Sequence, residues 1–236
     1  MINTTYRTDD PEIMDDFAME GESLCDALDK IAAINHLLGG NSITMNGVKK
    51  LIGTLPRNQK ITIIDLGCGN GDMLRVLADF AKKENRIFEL VGVDANDYTI
   101  RHARNLSKKS TNITYLTENV FNAAFEKLEY DIALCTLTLH HFKEEEIIKI
   151  METLNEKSKI GIVINDLQRS ALAYRLFQLL GFILQLKKMP KEDGLTSILR
   201  GFKKAELTRF SKKLNLTNYT IRWKWAFRYQ WIISKI

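Results

Sequence analysis

The chain has 236 residues, of which 45% are hydrophobic and 27% are charged, and its net charge is +5. This length suits one α/β domain with additions or at most two small domains, and the composition is typical of a globular core rather than a disordered chain. Three widely spaced cysteines without a CxxC pair argue against a disulfide framework or a zinc site and favour the cytoplasm. No run reaches the ~20 apolar residues of a membrane span, and no signal peptide is predicted.

The N-terminal quarter is predicted to be an arm followed by two helices. Residues 1–19 are rich in acidic side chains and are expected to form a mobile or loosely docked arm. Apolar residues at helical spacing predict a helix over 23–38, which the pair Gly39-Gly40 ends. A second helix is predicted from residue 41 to about residue 55, before a proline. Residues 1–55 therefore form a predicted arm and helical cap, and 56–236 the main domain.

A strand, a glycine-rich turn and a helix follow. A buried strand is predicted over 61–66 and a helix over 72–83, and the turn between them reads Asp65-Leu-Gly67-Cys68-Gly69-Asn-Gly71. Glycines at such a turn permit positive φ and close approach of a ligand. The dinucleotide motif G-x-G-x-x-G would receive a pyrophosphate there, which the carboxylate of Asp65 would repel. A ligand with an amino group and a sulfonium would be attracted instead.

Strands and helices then alternate, which indicates a parallel sheet with crossover helices. The predicted strands are 87–93, 113–117, 130–136 and 159–165, and the predicted helices are 96–108 and 143–154. After Asp166 the pattern changes to a long apolar helix at 170–186, a basic loop, a helix at about 203–214, and strands at 218–227 and 229–235 that are close enough to form a hairpin.

Polar residues stand where the predicted strands end. In a doubly wound sheet the ligand lies outside the carboxyl ends of the strands, where the strand order reverses. Asp94 ends the second strand, about twenty residues past the glycines, where an acid accepts hydrogen bonds from ribose hydroxyls. Its alternative role is to cap the next helix. The third strand ends at Glu118-Asn119-Val120, and the fourth ends at Cys135-Thr136 and leads to His140-His141.

These motifs resemble motif I, hhhDhGxGxG, and the strand ends of the class I S-adenosylmethionine-dependent methyltransferases. The resemblance implies a Rossmann-like, seven-stranded, mostly parallel sheet with a terminal antiparallel hairpin. It also implies S-adenosyl-L-methionine as cofactor, S-adenosyl-L-homocysteine as product, and no metal. The residues it assigns to cofactor binding are Asp65, Gly67, Cys68, Gly69, Gly71, Asp94, Ala95, Asn119, Val120, Cys135 and Thr136. The family often has Asp where Asn119 stands; an amide oxygen still accepts from the adenine amino group, and Glu118 is the alternative.

The pair His140-His141 resembles the Leu-His-His-hydrophobic ending of small-molecule methyltransferases of the ubiquinone-biosynthesis and natural-product type. Methyl transfer from a sulfonium is a direct displacement, so the enzyme mainly aligns the reacting atoms. A phenol gains from losing its proton to a nearby base, and histidine suits this role. We therefore predict His140, His141 or Asp166 as the base, with Asp166 alternatively orienting a histidine. A purely structural histidine remains an alternative.

Residues 167–202 are predicted to form a lid and substrate insertion beside the N-terminal helices. Their first half is apolar over most of its circumference, which indicates a helix that is buried or lines an apolar cavity. This region resembles bacterial methyltransferases found with polyketide and phenolic-lipid pathways, which implies secondary metabolism and O-methylation of an aromatic or polyketide-derived hydroxyl. Arg169, Tyr174 and Arg200 are the predicted substrate contacts; an ordinary surface charge is the alternative for each arginine.

The sequence leaves other acceptors open. C-methylation of a quinone or aromatic ring precursor uses the same cofactor. The basic C-terminal part would favour an RNA acceptor or peripheral contact with anionic lipid, but the [Asn/Asp]-Pro-Pro-aromatic turn of amino-methyltransferases is missing, so a small-molecule partner is predicted rather than nucleic acid. A cofactor-binding protein without catalytic activity is a third possibility. The acceptor and the oligomeric state are not predicted.

Overall fold

A computed structural model describes residues 2–236, and these residues form a single seven-stranded sheet. The strands are β1 Lys60–Leu66, β2 Ile87–Asp94, β3 Ile113–Thr117, β4 Tyr130–Thr136, β5 Ser158–Leu167, β6 Tyr219–Lys224 and β7 Arg228–Ser234. Their order is β3-β2-β1-β4-β5-β7-β6, and β7 runs antiparallel to both of its neighbours. This confirms the predicted Rossmann-like methyltransferase sheet with its terminal hairpin.

Helices cover both faces of the sheet. They are α1 Glu22–Leu37, α2 Gly40–Ile52, α3 Asp72–Lys83, α4 Asp97–Leu106, α5 Ala123–Glu126, α6 Glu144–Lys157, α7 Ala171–Ile183, α8 Lys188–Arg200 and α9 Lys204–Lys213. Short 3-10 turns occur at Ile13–Asp15 and Leu139–His141. Because side chains alternate along a strand, Ile63 of β1 packs in the core with α2, α3 and α4, and Ile64 packs in the core with α6 and α9. Within residues 2–236, no helix combines the length and apolar character needed to cross a membrane.

Helix α8 is the main departure from the predicted elements. The sequence predicts a basic loop after the long apolar helix, whereas residues 188–200 are helical. Pro190 lies in the first turn of α8, where backbone N–H groups have no partner within the helix and a proline is tolerated. Polar and charged residues hide the helical pattern, because α8 buries only a few side chains, among them Asp193 and Ile198.

The N-terminal arm is docked onto the domain, which corrects the expectation of a mobile or loosely docked segment. The Arg7 side chain donates hydrogen bonds to the main-chain oxygens of His140 and Phe142, at 2.7 and 2.9 Å. The backbone N–H groups of residues 13 and 14 donate to the carboxylate of Asp193, at 2.7 and 3.1 Å. The arm therefore covers the chain that follows β4 and contacts α8.

A buried arginine fastens the beginning of the arm. Arg169 follows β5, and its side chain is fully buried. It donates to the main-chain oxygens of Thr4, Thr5 and Gly201 and pairs with the carboxylate of Glu206 at 2.7 Å. Because several acceptors depend on one guanidinium, Arg169 is a structural clamp between the arm and α9.

Replacing this clamp is expected to destabilise the protein. In Arg169→Met the carboxylate of Glu206 keeps the N–H of Lys203 but loses its charged partner, and three carbonyl groups lose a donor. Removing one partner of a largely buried ion pair costs about 3 kcal/mol. Denaturant unfolding of the variant measures the loss. Arg175→Met, on the exposed side of α7, is the control and should change the free energy of unfolding by less than about 0.5 kcal/mol. Equal stability of the two variants would contradict the clamp.

Candidate active site

The glycine-rich turn lies at the point where the strand order reverses, because β1 has β2 on one side and β4 on the other. All three of its glycines have positive φ, +65° at Gly67, +52° at Gly69 and +75° at Gly71. A Cβ atom would lie 2.4 Å from the Thr138 side chain at Gly67 and 2.0 Å from the Tyr115 hydroxyl at Gly71. A Cβ at Gly69 would meet nothing closer than 3.7 Å. The first and third glycines are thus required by packing, and the middle one leaves its backbone open.

A cavity of about 850 Å³ opens above this turn. The strand ends supply a mainly polar side, which includes the predicted residues Asp65, Gly67, Cys68, Gly69, Asp94, Ala95, Asn119, Val120 and Thr136. Helices α1, α7 and α8 and the β6–β7 turn supply a mainly apolar side, with Leu28, Ile31, Leu176, Phe177, Leu180 and Phe227. The structure therefore brings together most of the predicted cofactor residues and places an apolar compartment beside them.

Asp65 is a buried carboxyl group with an incomplete set of partners. It is 2% exposed, and its Oδ1 atom has no hydrogen-bond partner within residues 2–236. Burial, and secondarily the nearby charge of Asp94, raise the pKa of Asp65 to about 8. Since buried polar atoms are normally paired, an orphaned carboxyl oxygen on a cavity wall fits a cationic or N–H-bearing ligand group.

Asp94 faces the same cavity from the end of β2. Its carboxylate accepts hydrogen bonds from the backbone N–H groups of Gly69 and Asn96, both at 3.1 Å. Burial raises its pKa despite these hydrogen bonds. The cap of α4 is Asn96, whose side chain accepts from the N–H of Thr99 at 2.8 Å. The alternative reading of Asp94 as a helix cap is therefore wrong.

The chain after β3 lines the cavity with Glu118, Asn119 and Val120. The Asn119 side-chain oxygen accepts from the N–H of Phe121 at 3.0 Å. A Glu118 carboxylate oxygen accepts from the N–H of Asn119 at 3.1 Å and from the Asn122 amide at 2.6 Å. Both candidate adenine contacts thus stabilise the local turn, and each retains a free lone pair.

At the end of β4 the structure separates two predicted residues. Thr136 lines the cavity, and its hydroxyl lies 3.0 Å from that of Thr44 on α2. Cys135 is fully buried within the sheet, between Leu66 of β1 and Ile164 of β5, and lies outside the cavity wall. Burial raises the pKa of its thiol well above the ordinary value. Cys135 therefore belongs to the core.

His140 is held by Asp166 through two hydrogen bonds. Its Nδ1 atom lies 2.7 Å from Oδ1 of Asp166, and its backbone N–H donates to Oδ2 at 3.2 Å. The N–H of Leu167 also donates to Oδ1. Burial alone would raise the pKa of Asp166, but His140 and these hydrogen bonds lower it below its ordinary value. His140 lines the cavity, and its buried Nε2 has no hydrogen-bond partner within residues 2–236.

His141 is held by the docked arm instead. Its Nδ1 atom lies 2.8 Å from Oδ1 of Asp15, and its ring centre lies 4.3 Å from that of His140. Arg200 pairs with Asp15 at 2.6 Å and donates to the main-chain oxygen of His141 at 2.6 Å. The two adjacent histidines thus have different environments: within residues 2–236, the ring nitrogen that is buried without a hydrogen-bond partner is Nε2 of His140, whereas the His141 side chain is partly exposed.

Glu12 is a site residue that the sequence did not predict. It is 5% exposed, accepts a hydrogen bond from Ser197 at 2.7 Å, and lies 3.6 Å from Nε2 of His140. Burial raises its pKa to about 7. No local pattern distinguishes it from the other acids of the arm, because only docking against α8 buries it.

One group within residues 2–236 has the side chains for a metal ion: Glu12, His140 and His141, whose ligand atoms all lie within 4.8 Å of one another. The guanidinium of Arg200 lies 3.5 Å from Oε1 of Glu12. A cation bound there would face this positive charge. The surroundings therefore favour a cluster of one acid and two histidines over a metal site.

The three predicted substrate residues lie outside the cavity wall. Arg169 clamps the arm, Arg200 holds the arm and the histidine turn, and Tyr174 is half-buried on α7 away from the wall. The wall instead contains Arg228, at the start of β7, which the sequence analysis missed. Asparagines also line the cavity near the glycine turn: the Asn35 amide donates to Asn41, and Asn41 donates to Asp72 at 2.6 Å.

Comparisons with known proteins agree with this fold. Residues 63–161 match the family model described as a methyltransferase domain, Methyltransf_25. Among solved structures, the plantazolicin methyltransferase BpumL in complex with SAH is 16% identical, with 89% of each chain covered and a TM-score of 0.65. The magnesium protoporphyrin IX methyltransferase ChlM from Synechocystis PCC 6803 with bound SAH is 17% identical, covering 83% of this chain and 82% of that one, with a TM-score of 0.53.

A further structure with the same fold is an O-methyltransferase family protein from Burkholderia thailandensis, which is 14% identical, covers 88% of this chain and 59% of that one, and has a TM-score of 0.61. No curated protein matches the chain. The domain match and the sheet order define a methyltransferase enzyme of the class I fold, which confirms the predicted class. The ligand named for BpumL and ChlM, SAH, is the product of the cofactor predicted here.

The buried Glu12 should make stability depend on pH. Its pKa is about 7 in the folded protein against 4.5 for an unperturbed glutamate, so the folded state binds more protons between these values. The free energy of unfolding should therefore fall as pH rises through this range, and Glu12 contributes about 3 kcal/mol to the fall. Asp65, whose pKa is also raised, adds a fall of its own in wild type and variant alike. Denaturant unfolding at a series of pH values should therefore show a fall that is about 3 kcal/mol smaller in Glu12→Gln than in wild type.

The matched control for this measurement is Glu20→Gln, because Glu20 is an exposed acid of the same arm. It should keep the wild-type pH dependence. If Glu12→Gln lost stability with pH as steeply as wild type, Glu12 would not be the group responsible.

Proposed function

We propose that the protein transfers a methyl group from S-adenosylmethionine to the hydroxyl of a small, largely apolar acceptor, with His140 as the general base. The observation that carries this proposal is the state of the His140 ring. Its Nδ1 is fixed by Asp166 at 2.7 Å, and its Nε2 is buried beside the cavity without a hydrogen-bond partner within residues 2–236. An oriented imidazole with one free nitrogen is suited to accept a proton.

The residues around the glycine turn fit the methyl donor. Asp65 offers an unpaired carboxyl oxygen to an amino group, and Asp94 offers carboxylate oxygens to the ribose hydroxyls. Backbone at Gly69 is open to close approach, and residues 118–120 offer polar atoms to the adenine. S-adenosylmethionine supplies an electrophilic methyl group on a sulfonium, which becomes a neutral thioether after transfer.

The chain's own contribution to transfer is a proton acceptor and an alignment surface. Nε2 of His140 takes the proton of the acceptor hydroxyl as its oxygen forms the bond to the methyl carbon. Asp166 stabilises the resulting imidazolium and acts as a positioning residue, because both of its oxygens are occupied and it lies outside the cavity wall. A general base placed in this way accelerates such reactions by about 10²- to 10⁴-fold.

The apolar side of the cavity supports a small acceptor. Residues of α1, α7 and α8 surround it, so the 167–202 insertion and the N-terminal helices serve as the acceptor-binding part. C-methylation of an activated aromatic ring needs the same base and is the second candidate. An RNA acceptor gains no support from these apolar walls. Cysteine usage continues to favour the cytoplasm, since Cys25, Cys68 and Cys135 are all free thiols.

Binding of the cofactor product should release a proton. At neutral pH the Asp65 carboxyl, with a pKa of about 8, is mostly protonated, and the ammonium of S-adenosylhomocysteine would stabilise its ionised form. Calorimetry in buffers of different ionisation enthalpy should therefore detect release of up to about one proton at pH ~7, and less above pH ~8. Asp65→Asn should bind more weakly and release none. Tight binding without proton release in wild type would contradict this role.

The adjacent histidines provide a matched test of the base. His140→Gln should lower kcat by about 10²- to 10³-fold, and its affinity for S-adenosylhomocysteine should stay within about twofold because His140 is assigned to the acceptor side. His141→Gln, on the same turn, should lose much less. The assay is methyl transfer from labelled cofactor to phenols, alkylresorcinols, pyrones and quinone precursors.

Two results would contradict the base assignment. One is unchanged transfer in His140→Gln. The other is loss of activity on dialysis against EDTA with recovery on adding a divalent metal, because the Glu12, His140 and His141 cluster would then be a metal site.

A further inference from the structure

Arg228 is a buried cation whose donors are not all used. It is the first residue of β7, lies at the same sheet edge as Asp166 and His140, and is 3% exposed. Its Nε and Nη1 atoms have no hydrogen-bond partner in the described chain from residue 2 to residue 236. Arg228 also lines the cavity. Buried arginines are almost always paired, so this one calls for a partner.

Asp166 is not the hydrogen-bond partner of Arg228. Arg228 is the register partner of Leu167, and side chains alternate along a strand, so Arg228 shares a face with Leu167 and not with Asp166. The oxygens of Asp166 already accept from the ring and backbone of His140 and from the N–H of Leu167. Burial lowers the pKa of Arg228 to about 10 even though Asp166 opposes this shift. The guanidinium therefore remains charged at neutral pH.

The other arginines near the site are committed elsewhere. Arg169 serves the arm and Glu206, and Arg200 serves Asp15 and the main-chain oxygen of His141. Arg228 is thus the cation of the cavity wall that has donors available for a ligand.

The sheet order places Arg228 on the acceptor side. The glycine turn follows β1, and β7 lies three strands away across β4 and β5. Neighbouring strands are about 4.8 Å apart, so the two strands are separated by roughly 14 Å. Apolar residues flank Arg228 on the wall, including Leu167 and Phe227. One fixed positive charge in an apolar surrounding matches one carboxylate; a phosphate, with nearly two charges, would keep one uncompensated.

We infer that the methyl acceptor is an apolar molecule with a carboxylate, and that Arg228 binds this carboxylate while the hydroxyl to be methylated lies at His140. The inference rests on the proposed function and adds the acidic group that the acceptor carries. A guanidinium forms two parallel hydrogen bonds with a carboxylate, so Arg228 also fixes the orientation of the acceptor.

The test compares two probes that differ only in the acidic group, p-coumaric acid and p-coumaryl alcohol. Their binding to the protein saturated with S-adenosylhomocysteine is measured by calorimetry. Wild type should bind the acid about 10- to 100-fold more tightly than the alcohol, as expected for a charged hydrogen bond in a buried site. In Arg228→Met this preference should fall to within about twofold. Arg228→Lys should retain part of it, and the surface variant Arg175→Met should retain all of it.

Failure of this inference can be distinguished from failure of the proposed function. S-adenosylhomocysteine should bind Arg228→Met as tightly as wild type; a parallel loss of its affinity would place Arg228 at the cofactor and overturn the inference. An acid that binds wild type no more tightly than the alcohol, or a preference that survives in Arg228→Met, would also overturn it. Absence of S-adenosylhomocysteine binding to wild type would instead refute the proposed function.

Discussion

The hydrogen bonds of Asp166 organise the site. Its two oxygens form hydrogen bonds with the ring Nδ1 and the backbone N–H of His140, and one of them also accepts from the N–H of Leu167. These hydrogen bonds join the end of β5 to the turn that follows β4. The arm docks against this turn, because the Arg7 side chain donates a hydrogen bond to the main-chain oxygen of His140. Burial of a carboxylate is costly unless its hydrogen bonds are made, and here those bonds fix the position of the proposed base.

The same low-dielectric environment explains the groups that are left incomplete. Asp65, His140 and Arg228 are buried on the cavity wall, and each has at least one polar atom without a hydrogen-bond partner among residues 2–236. Such atoms disfavour the folded state unless a ligand supplies their partners. The order of β1, β4 and β7 in the sheet agrees with the proposed ligands, in which a cationic group meets Asp65, a hydroxyl meets His140 and a carboxylate meets Arg228.

Local sequence patterns were sufficient to predict the sheet and the side of the cavity that is proposed to bind the methyl donor. Apolar strands and the three glycines of the turn are short-range patterns, and the strand ends place Asp65 and Asp94 together once the topology is known. Local patterns could not predict which arginine lines the cavity and which arginines have structural roles. Arg169, Arg200 and Arg228 differ in what surrounds them after folding. Arg169 contacts the arm and α9, Arg200 contacts the arm and the histidine turn, and Arg228 faces the cavity. Arg169 and Arg200 are predicted as substrate contacts because both lie in the 167–202 insertion, whereas in the folded protein their side chains contact the arm.

Helix α7 shows why the binding site of the methyl acceptor is harder to predict from the sequence than that of the methyl donor. Its apolar circumference predicted either burial or a cavity lining. In the structure, one side of the helix lines the cavity and another side is exposed. Phe177 and Leu180 line the cavity, whereas Leu179 and Phe182 are 55% and 78% exposed. Hydrophobicity alone does not say which side faces the ligand, since both sides are apolar. The donor side is formed by backbone and by acids at strand ends, whose positions the sheet dictates. The proposed acceptor side is formed mainly by exchangeable side chains on helices, and its proposed specificity comes from a charged group at the start of a strand, Arg228 of β7.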